Sequence, residues 1–97
     1  AGQVVNLVDG FAFSGGVNGA VRHNVSQFNA QHGYSINGLT STGVVSGNSA
    51  NSNGDTGFLF GPGAGDLEGI VSGNSASNNA GGYGFDFAGG RGNLTLY

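Results

Sequence analysis

Apolar residues in this chain come in short bursts, separated by runs of Gly, Asn and Ser. Four bursts open with Gly followed by an aromatic: Gly10-Phe11, Gly33-Tyr34, Gly57-Phe58 and Gly84-Phe85, at spacings of 23, 24 and 27 residues. Each begins an alternating triplet: FAF at 11–13, YSI at 34–36, FLF at 58–60 and FDF at 85–87. A period of two is the mark of a strand with one buried face. It places Phe11 and Phe13, Tyr34 and Ile36, Phe58 and Phe60, and Phe85 and Phe87 on that face. A second set of bursts is aliphatic or β-branched: Ala20-Val21, Val44-Val45, Ile70-Val71 and Leu94-Thr95. No helical period persists, and Gly and Asn are poor helix formers.

Asparagine follows the same beat. Asn6, Asn29, Asn53 and Asn79 stand four or five residues before each Gly-aromatic anchor, and Asn24, Asn48 and Asn74 stand nine or ten before it. Near-identical phrases result, VVSGNSANSNGDTGF at 44–58 and IVSGNSASNNAGGYGF at 70–85. Each unit therefore holds three short extended segments between Gly- and Asn-rich corners. Such units, repeating every 23–27 residues, predict an all-β parallel β-helix (a β-solenoid) of about four rungs. Each rung stacks on the next at about 4.8 Å. The chain reads as a single domain, 1–97, with rungs near 1–23, 24–47, 48–73 and 74–97.

The phrases NSASNNAGGYGF and NSANSNGDTGF, with weaker echoes at 24–34 and 6–11, resemble the right-handed parallel β-helix repeat of the pectate-lyase-like superfamily. The resemblance covers essentially the whole chain. It implies the fold and leaves function open, because that superfamily includes lyases, hydrolases, epimerases, phage spikes and non-catalytic scaffolds. Stacked rungs set like side chains above one another. The Asn columns then predict hydrogen-bonded amide ladders, although Asn is also a good turn residue in its own right. The aromatic column reads as core, with offset stacking between rungs. Gly is expected to supply the positive φ angles of the corners.

Composition narrows the function. Gly contributes 22 residues and Asn 12, a bias that would signal disorder were the apolar residues not periodic. Gly does not recur at every third position, so collagen is excluded. There is no Cys and no Lys, the only basic residues are Arg22 and Arg91, and the formal charge is -3. Disulfides and thiolate metal sites are excluded, and no basic patch is present for nucleic acid. No apolar run approaches the roughly 18–20 residues of a membrane span. The chain opens at Ala rather than Met, as expected of a processed or excised chain, and its composition suggests an extracellular or cell-surface protein.

Catalytic chemistry has little to work with. The acids are Asp9, Asp55, Asp66, Glu68 and Asp86. Asp9 and Asp55 could share a wall, Asp86 points outward between Phe85 and Phe87, and Asp66 and Glu68 read as part of a solvated loop. A paired-carboxylate glycosidase needs two acids facing one groove. The superfamily resemblance implies, for a lyase, several Asp around calcium and a basic residue as proton abstractor; this chain departs from that pattern. His23 and His32 read as exposed corner residues rather than metal ligands. GGYGFD at 81–86 carries the letters of a calcium-roll motif once, without its repeat. Thr40, Thr42, Thr56 and Thr95 do not align into an ice-binding array. Asn24-Val-Ser and Asn93-Leu-Thr are glycosylation sequons; Asn93 is the better acceptor because Asn24 belongs to a ladder. No catalytic residue, cofactor or metal site is expected.

The four rungs account for all 97 residues, and no segment reads as a cap. Uncapped solenoid ends expose strand edges and core. The expectation is a non-catalytic subunit of an extracellular filament, a homopolymer built by head-to-tail stacking of copies. Val4, Val5, Leu7 and Phe11 would meet Phe85, Phe87, Leu94 and Leu96 of the next copy. The alternative is a carbohydrate-binding or carbohydrate-processing β-helix segment of an exoenzyme or phage spike, with polysaccharide as partner.

Overall fold

The structure, a computed structural model, describes residues 9–15, 17–61, 67–81, 83–88 and 91–96. Every described element is a strand. Rung by rung these are β1 (Phe11–Phe13), β2 (Ala20–Arg22) and β3 (Val25–Gln27); β4 (Tyr34–Asn37), β5 (Val44–Ser46) and β6 (Ser49–Asn51); β7 (Phe58–Gly61), β8 (Leu67–Ser72) and β9 (Ser75–Ser77); and β10 (Phe85–Phe87) and β11 (Arg91–Leu96). They form three sheets, ordered β1-β4-β7-β10, β2-β5-β8-β11 and β3-β6-β9. All pairings are parallel. The chain is a parallel β-helix, as the repeat predicts. No helix among the described residues is long and apolar enough to cross a membrane.

The anchors stack in register. Phe11 pairs with Tyr34, Tyr34 with Phe58, and Phe58 with Phe85. Their rings form one continuous pile, with centroids 5.1, 4.5 and 4.8 Å apart and planes within 7° of parallel. Phe60 and Phe87 stack likewise at 4.7 Å. Each stacked pair contributes about 0.5–1.5 kcal/mol beyond its area burial. The second sheet adds Val21, Val45 and Val71 to the core. The third sheet turns only Ser26, Ala50 and Ala76 toward the interior column, in matching register. Small residues on that wall leave room for the rings opposite. They also explain why sequence alternation marks this strand so weakly.

Two sequence expectations need correction. The last aliphatic pair is not Leu94-Thr95: Thr95 pairs with Ile70 and Leu96 with Val71. A register shift between Arg91 and Leu94 inserts one residue into β11, so the side-chain pattern slides by one. Glu68 lies within β8 rather than in a loop, half-buried, with its N–H donating to the Leu39 carbonyl. Asp66 falls outside the described residues.

The anchor glycines serve a purpose other than backbone freedom. Positive φ occurs at Gly38, Gly47, Gly69 and Gly73, and none of the anchors is among them. What Gly10, Gly33 and Gly57 lack is space. A Cβ on Gly33 would lie 2.8 Å from the Gly57 carbonyl oxygen and 2.9 Å from both Ala50 Cβ and Asn53 Nδ2. One on Gly57 would meet Gly84 O at 2.7 Å, Asn79 Nδ2 at 2.8 Å and Ala76 Cβ at 2.9 Å. The backbone passes so close to the next rung here that any side chain collides with rigid neighbours.

Tyr34 is the one polar member of the ring pile. It is fully buried, and its hydroxyl donates to the Ser49 carbonyl across the core at 3.1 Å. Burial pushes its pKa up to about 12. A tyrosine in the unfolded chain ionises near pH 10. Below that value both states hold the proton. Above it the unfolded state loses a proton that the fold retains, so stability falls as pH rises from about 10 toward 12.

Two outcomes are expected from this packing. The melting temperature should drop between pH 10 and 12, and the Tyr34→Phe variant should lose the Tyr34 share of that drop; an identical alkaline slope in both proteins would contradict the buried-phenol account. Gly57→Ala should cost about 1–3 kcal/mol in urea unfolding, as overpacked sites do. The same change at Gly15, where a Cβ would meet nothing within 4 Å, should be near neutral.

Candidate assembly interface

The corners carry the most specific chemistry in the molecule. The second and third strands of each rung are joined by two residues: His23-Asn24, Gly47-Asn48 and Gly73-Asn74. The third strand ends in a like pair: Phe28-Asn29, Ser52-Asn53 and Asn78-Asn79. In every pair the first residue is left-handed, with φ of 56°, 66° and 62° in one column and 59°, 57° and 55° in the other. The second residue is a ladder Asn. Gly fills the left-handed position only at Gly47 and Gly73, so the positive-φ expectation holds at two of these six corners. Elsewhere the hydrogen bonds of the following Asn hold a non-Gly residue in a conformation that normally costs about 1–2 kcal/mol.

Both predicted ladders form. Asn48 Oδ1 accepts from Asn24 N and Nδ2, each at 3.0 Å, and Asn48 Nδ2 donates to the Val21 carbonyl at 2.8 Å. Asn74 repeats this against Asn48 and Val45. In the other column Asn53 Oδ1 accepts from Asn29 N at 3.1 Å and Nδ2 at 2.7 Å, while its Nδ2 donates to Ser26 O at 3.2 Å. Asn79 does the same to Asn53 and Ala50. Each carboxamide thus bridges a backbone bracket on the preceding rung, made of the Asn N–H and the carbonyl three residues earlier. Asn48 and Asn53 are 1% exposed, and their amide orientations follow from which neighbours donate and which accept. No buried side-chain N or O among the described residues lacks a partner. Asn6 falls outside the described residues.

The ladder has a direction. Each of these four carboxamides reaches back toward the N-terminal end of the stack, so each bracket opens toward the C-terminal end. There β9, β10 and β11 are the outermost strands of the three sheets among the described residues. Phe85 is 38% exposed and Leu96 47% exposed, and with Val71, Asn74 and Phe87 they line an apolar concavity of about 270 Å³. Phe87 and Leu94 are half-buried and pack on the core. Phe11, also half-buried, lies in the outermost described strand at the opposite end. Sequence reasoning thus picked out residues at both ends of the stack. Val4, Val5 and Leu7 lie outside the described residues, as does the side chain of Asn93.

A further column went unread in the sequence. The Asp9 carboxylate accepts from His32 N at 3.1 Å, His32 Nδ1 accepts from Thr56 N at 3.3 Å, and Thr56 Oγ1 accepts from Tyr83 N at 3.3 Å. Three unlike side chains, those of Asp9, His32 and Thr56, occupy one structural role, so no residue-type repeat could reveal it. It draws His32 into the wall, half-buried rather than exposed, while His23 is exposed as expected. Asp55 accepts from its neighbour Thr56 at 3.4 Å. Asp86 sits level with Leu59, in the column of Ser35 and Ala12. No cluster of three or more His, Cys, Asp or Glu suited to a metal is found among the described residues. No family model, curated protein or solved structure matches the chain.

Asn53→Leu should destabilise by about 1–3 kcal/mol, because Asn29 N–H and Nδ2, Ser26 O and Asn79 Oδ1 all lose a buried partner. An unfolding midpoint within error of the parent, or equal to that of Ser41→Leu at an exposed turn, would count against the ladder as a stabilising device.

Proposed function

We propose that this chain is a non-catalytic structural subunit of an extracellular filament, in which copies stack head to tail so that one solenoid continues the next. The observation that carries the reading is the C-terminal face. Among the described residues it presents the Ala76–Asn79 bracket, exposed ring and aliphatic surface, and the outer edges of β9, β10 and β11, which one more rung of the same kind would cover. Burial of that surface and pairing of the edge groups would drive association. A contact of this kind joins two different surfaces of the same molecule, so it propagates without closing. Secretion is part of the proposal and rests on the Lys-free, Cys-free, Gly/Asn/Ser-rich composition. We further infer a right-handed solenoid of the pectate-lyase-like type; the three-sheet rung with two-residue Asn corners is what supports it.

A second reading, a polysaccharide-binding wall, has one observation in its favour. Phe28 is 39% exposed and left-handed, beside an outer groove shared with Ala30, Ser52, Gly54, Asn78 and Ala80. An aromatic held in an unfavourable backbone conformation at the surface is a feature associated with binding sites. Glycan-array binding by a protein that stays monomeric would favour this alternative.

Negative-stain microscopy of the pure protein separates the two readings. A stacking subunit should give fibres of indefinite length with an axial repeat near 19 Å, four rungs at about 4.8 Å. Leu96→Lys, on the exposed end face, should yield soluble monomers with unchanged β-type circular dichroism. Ser41→Lys, on an exposed turn of the wall, should leave fibres intact. Strands running along the fibre axis, or a repeat far from four strand spacings, would refute stacking even for a fibrous protein.

A further inference from the structure

Four backbone brackets along the solenoid are filled in one way. Val21 O with Asn24 N receives Asn48; Val45 O with Asn48 N receives Asn74. Ser26 O with Asn29 N receives Asn53; Ala50 O with Asn53 N receives Asn79. In each case the arriving oxygen takes both the backbone N–H and the side-chain Nδ2–H of the Asn below. The arriving NH2 donates to the carbonyl. The next bracket in the second series is Ala76 O with Asn79 N–H and Nδ2–H. It belongs to β9, on whose outer side no strand lies among the described residues.

We propose that this bracket is a carboxamide socket, and that its occupant is Asn6 of a second copy. The inference rests on the stacking reading and adds to it the contact that sets its register and polarity. A carboxamide matches the socket in chemistry. It offers one oxygen for two converging N–H groups and one N–H for a carbonyl. A carboxylate would set a negative oxygen against Ala76 O, a hydroxyl has too few hydrogens and lone pairs in the needed positions, and an aliphatic group leaves all three bonds unmade. Asn6 is the residue of this chain that fits the series: it precedes Asn29 by 23 residues, where the column runs at 24 and 26, and it stands four residues before its Gly anchor, as do Asn29 and Asn53. Ladder side chains reach back to the rung before, and on the stacking reading that rung belongs to the neighbouring copy. The socket faces only the C-terminal end, so copies add in one orientation.

Asn6→Ala therefore separates assembly from folding. The variant should keep the parent's β-type circular dichroism, while its critical concentration for fibre formation rises at least tenfold; Asn6→Asp should behave alike, and Asn6→Gln should not restore assembly, its amide being displaced by one methylene. A fluorescein-labelled peptide of residues 1–9 should bind the full-length Leu96→Lys monomer through the socket, and the peptide carrying Asn6→Ala should bind at least tenfold more weakly. Parent-like assembly by Asn6→Ala would overturn the socket while leaving stacking intact. Absence of fibres from the parent, with Asn6-dependent peptide binding retained, would overturn stacking while leaving the socket. Peptide binding indifferent to Asn6 would overturn the socket outright.

Discussion

A carboxamide has two hydrogens and two lone pairs, and a parallel stack of corners offers matching partners at the strand spacing. The rest of this molecule depends on that coincidence. A short strand turning sharply into the next leaves one backbone N–H and one C=O with no ladder partner, and burying such groups unpaired costs about 1–3 kcal/mol each. Asn48 and Asn53 satisfy the corner beneath them and are satisfied by the corner above, at 1% exposure. The bonds hold His23, Phe28, Ser52 and Asn78 in a left-handed conformation that these residues would not otherwise favour. They also keep the path from second to third strand identical in every rung. Length varies instead in the other turns, such as the one between β7 and β8.

The core follows from those corners. With the register held, like side chains must stack, and a flat ring is well suited to lying on its own kind at such a spacing. The pile from Phe11 to Phe85 runs the length of the stack. Its bulk demands a thin opposite wall, met by Ser26, Ala50 and Ala76, and a bare backbone where the rungs pass closest, met by the anchor glycines. Tyr34 spans the interior to Ser49 and so ties two walls together. The high content of Gly and Asn, which in another arrangement would betoken disorder, is here the requirement of close approach and of corner pairing.

A ladder with direction has unlike ends. The carboxamides of Asn48, Asn53, Asn74 and Asn79 reach one way along the stack and the brackets open the other way, and this asymmetry is a property of hydrogen-bond donors and acceptors rather than of shape. Apolar surface around Phe85 and Leu96 would supply most of the association energy in a stack, since burial of apolar area is non-directional and large. The bracket would supply orientation. A purely hydrophobic end face would tolerate a slipped or inverted neighbour; a donor–acceptor pattern would not.

The sequence by itself determined the class of fold, the period, the identity of both Asn columns and the inward face of the ring-bearing strand. These are legible because stacking repeats a residue type at a fixed interval, and a repeat needs no tertiary knowledge to be seen. It did not disclose the column of Asp9, His32 and Thr56, where three different side chains each accept from a backbone N–H of the next rung. It misassigned the Leu94-Thr95 pair, because one inserted residue in β11 shifts a period-two pattern onto its other face. It did not disclose why Gly10, Gly33 and Gly57 precede their rings: the nearness of a neighbouring rung excludes a side chain there. Each of these was decided only by tertiary structure, for one reason: the deciding partner lies on another rung, some 24 residues away in the chain, and its distance and direction are set by how the rungs settle on one another.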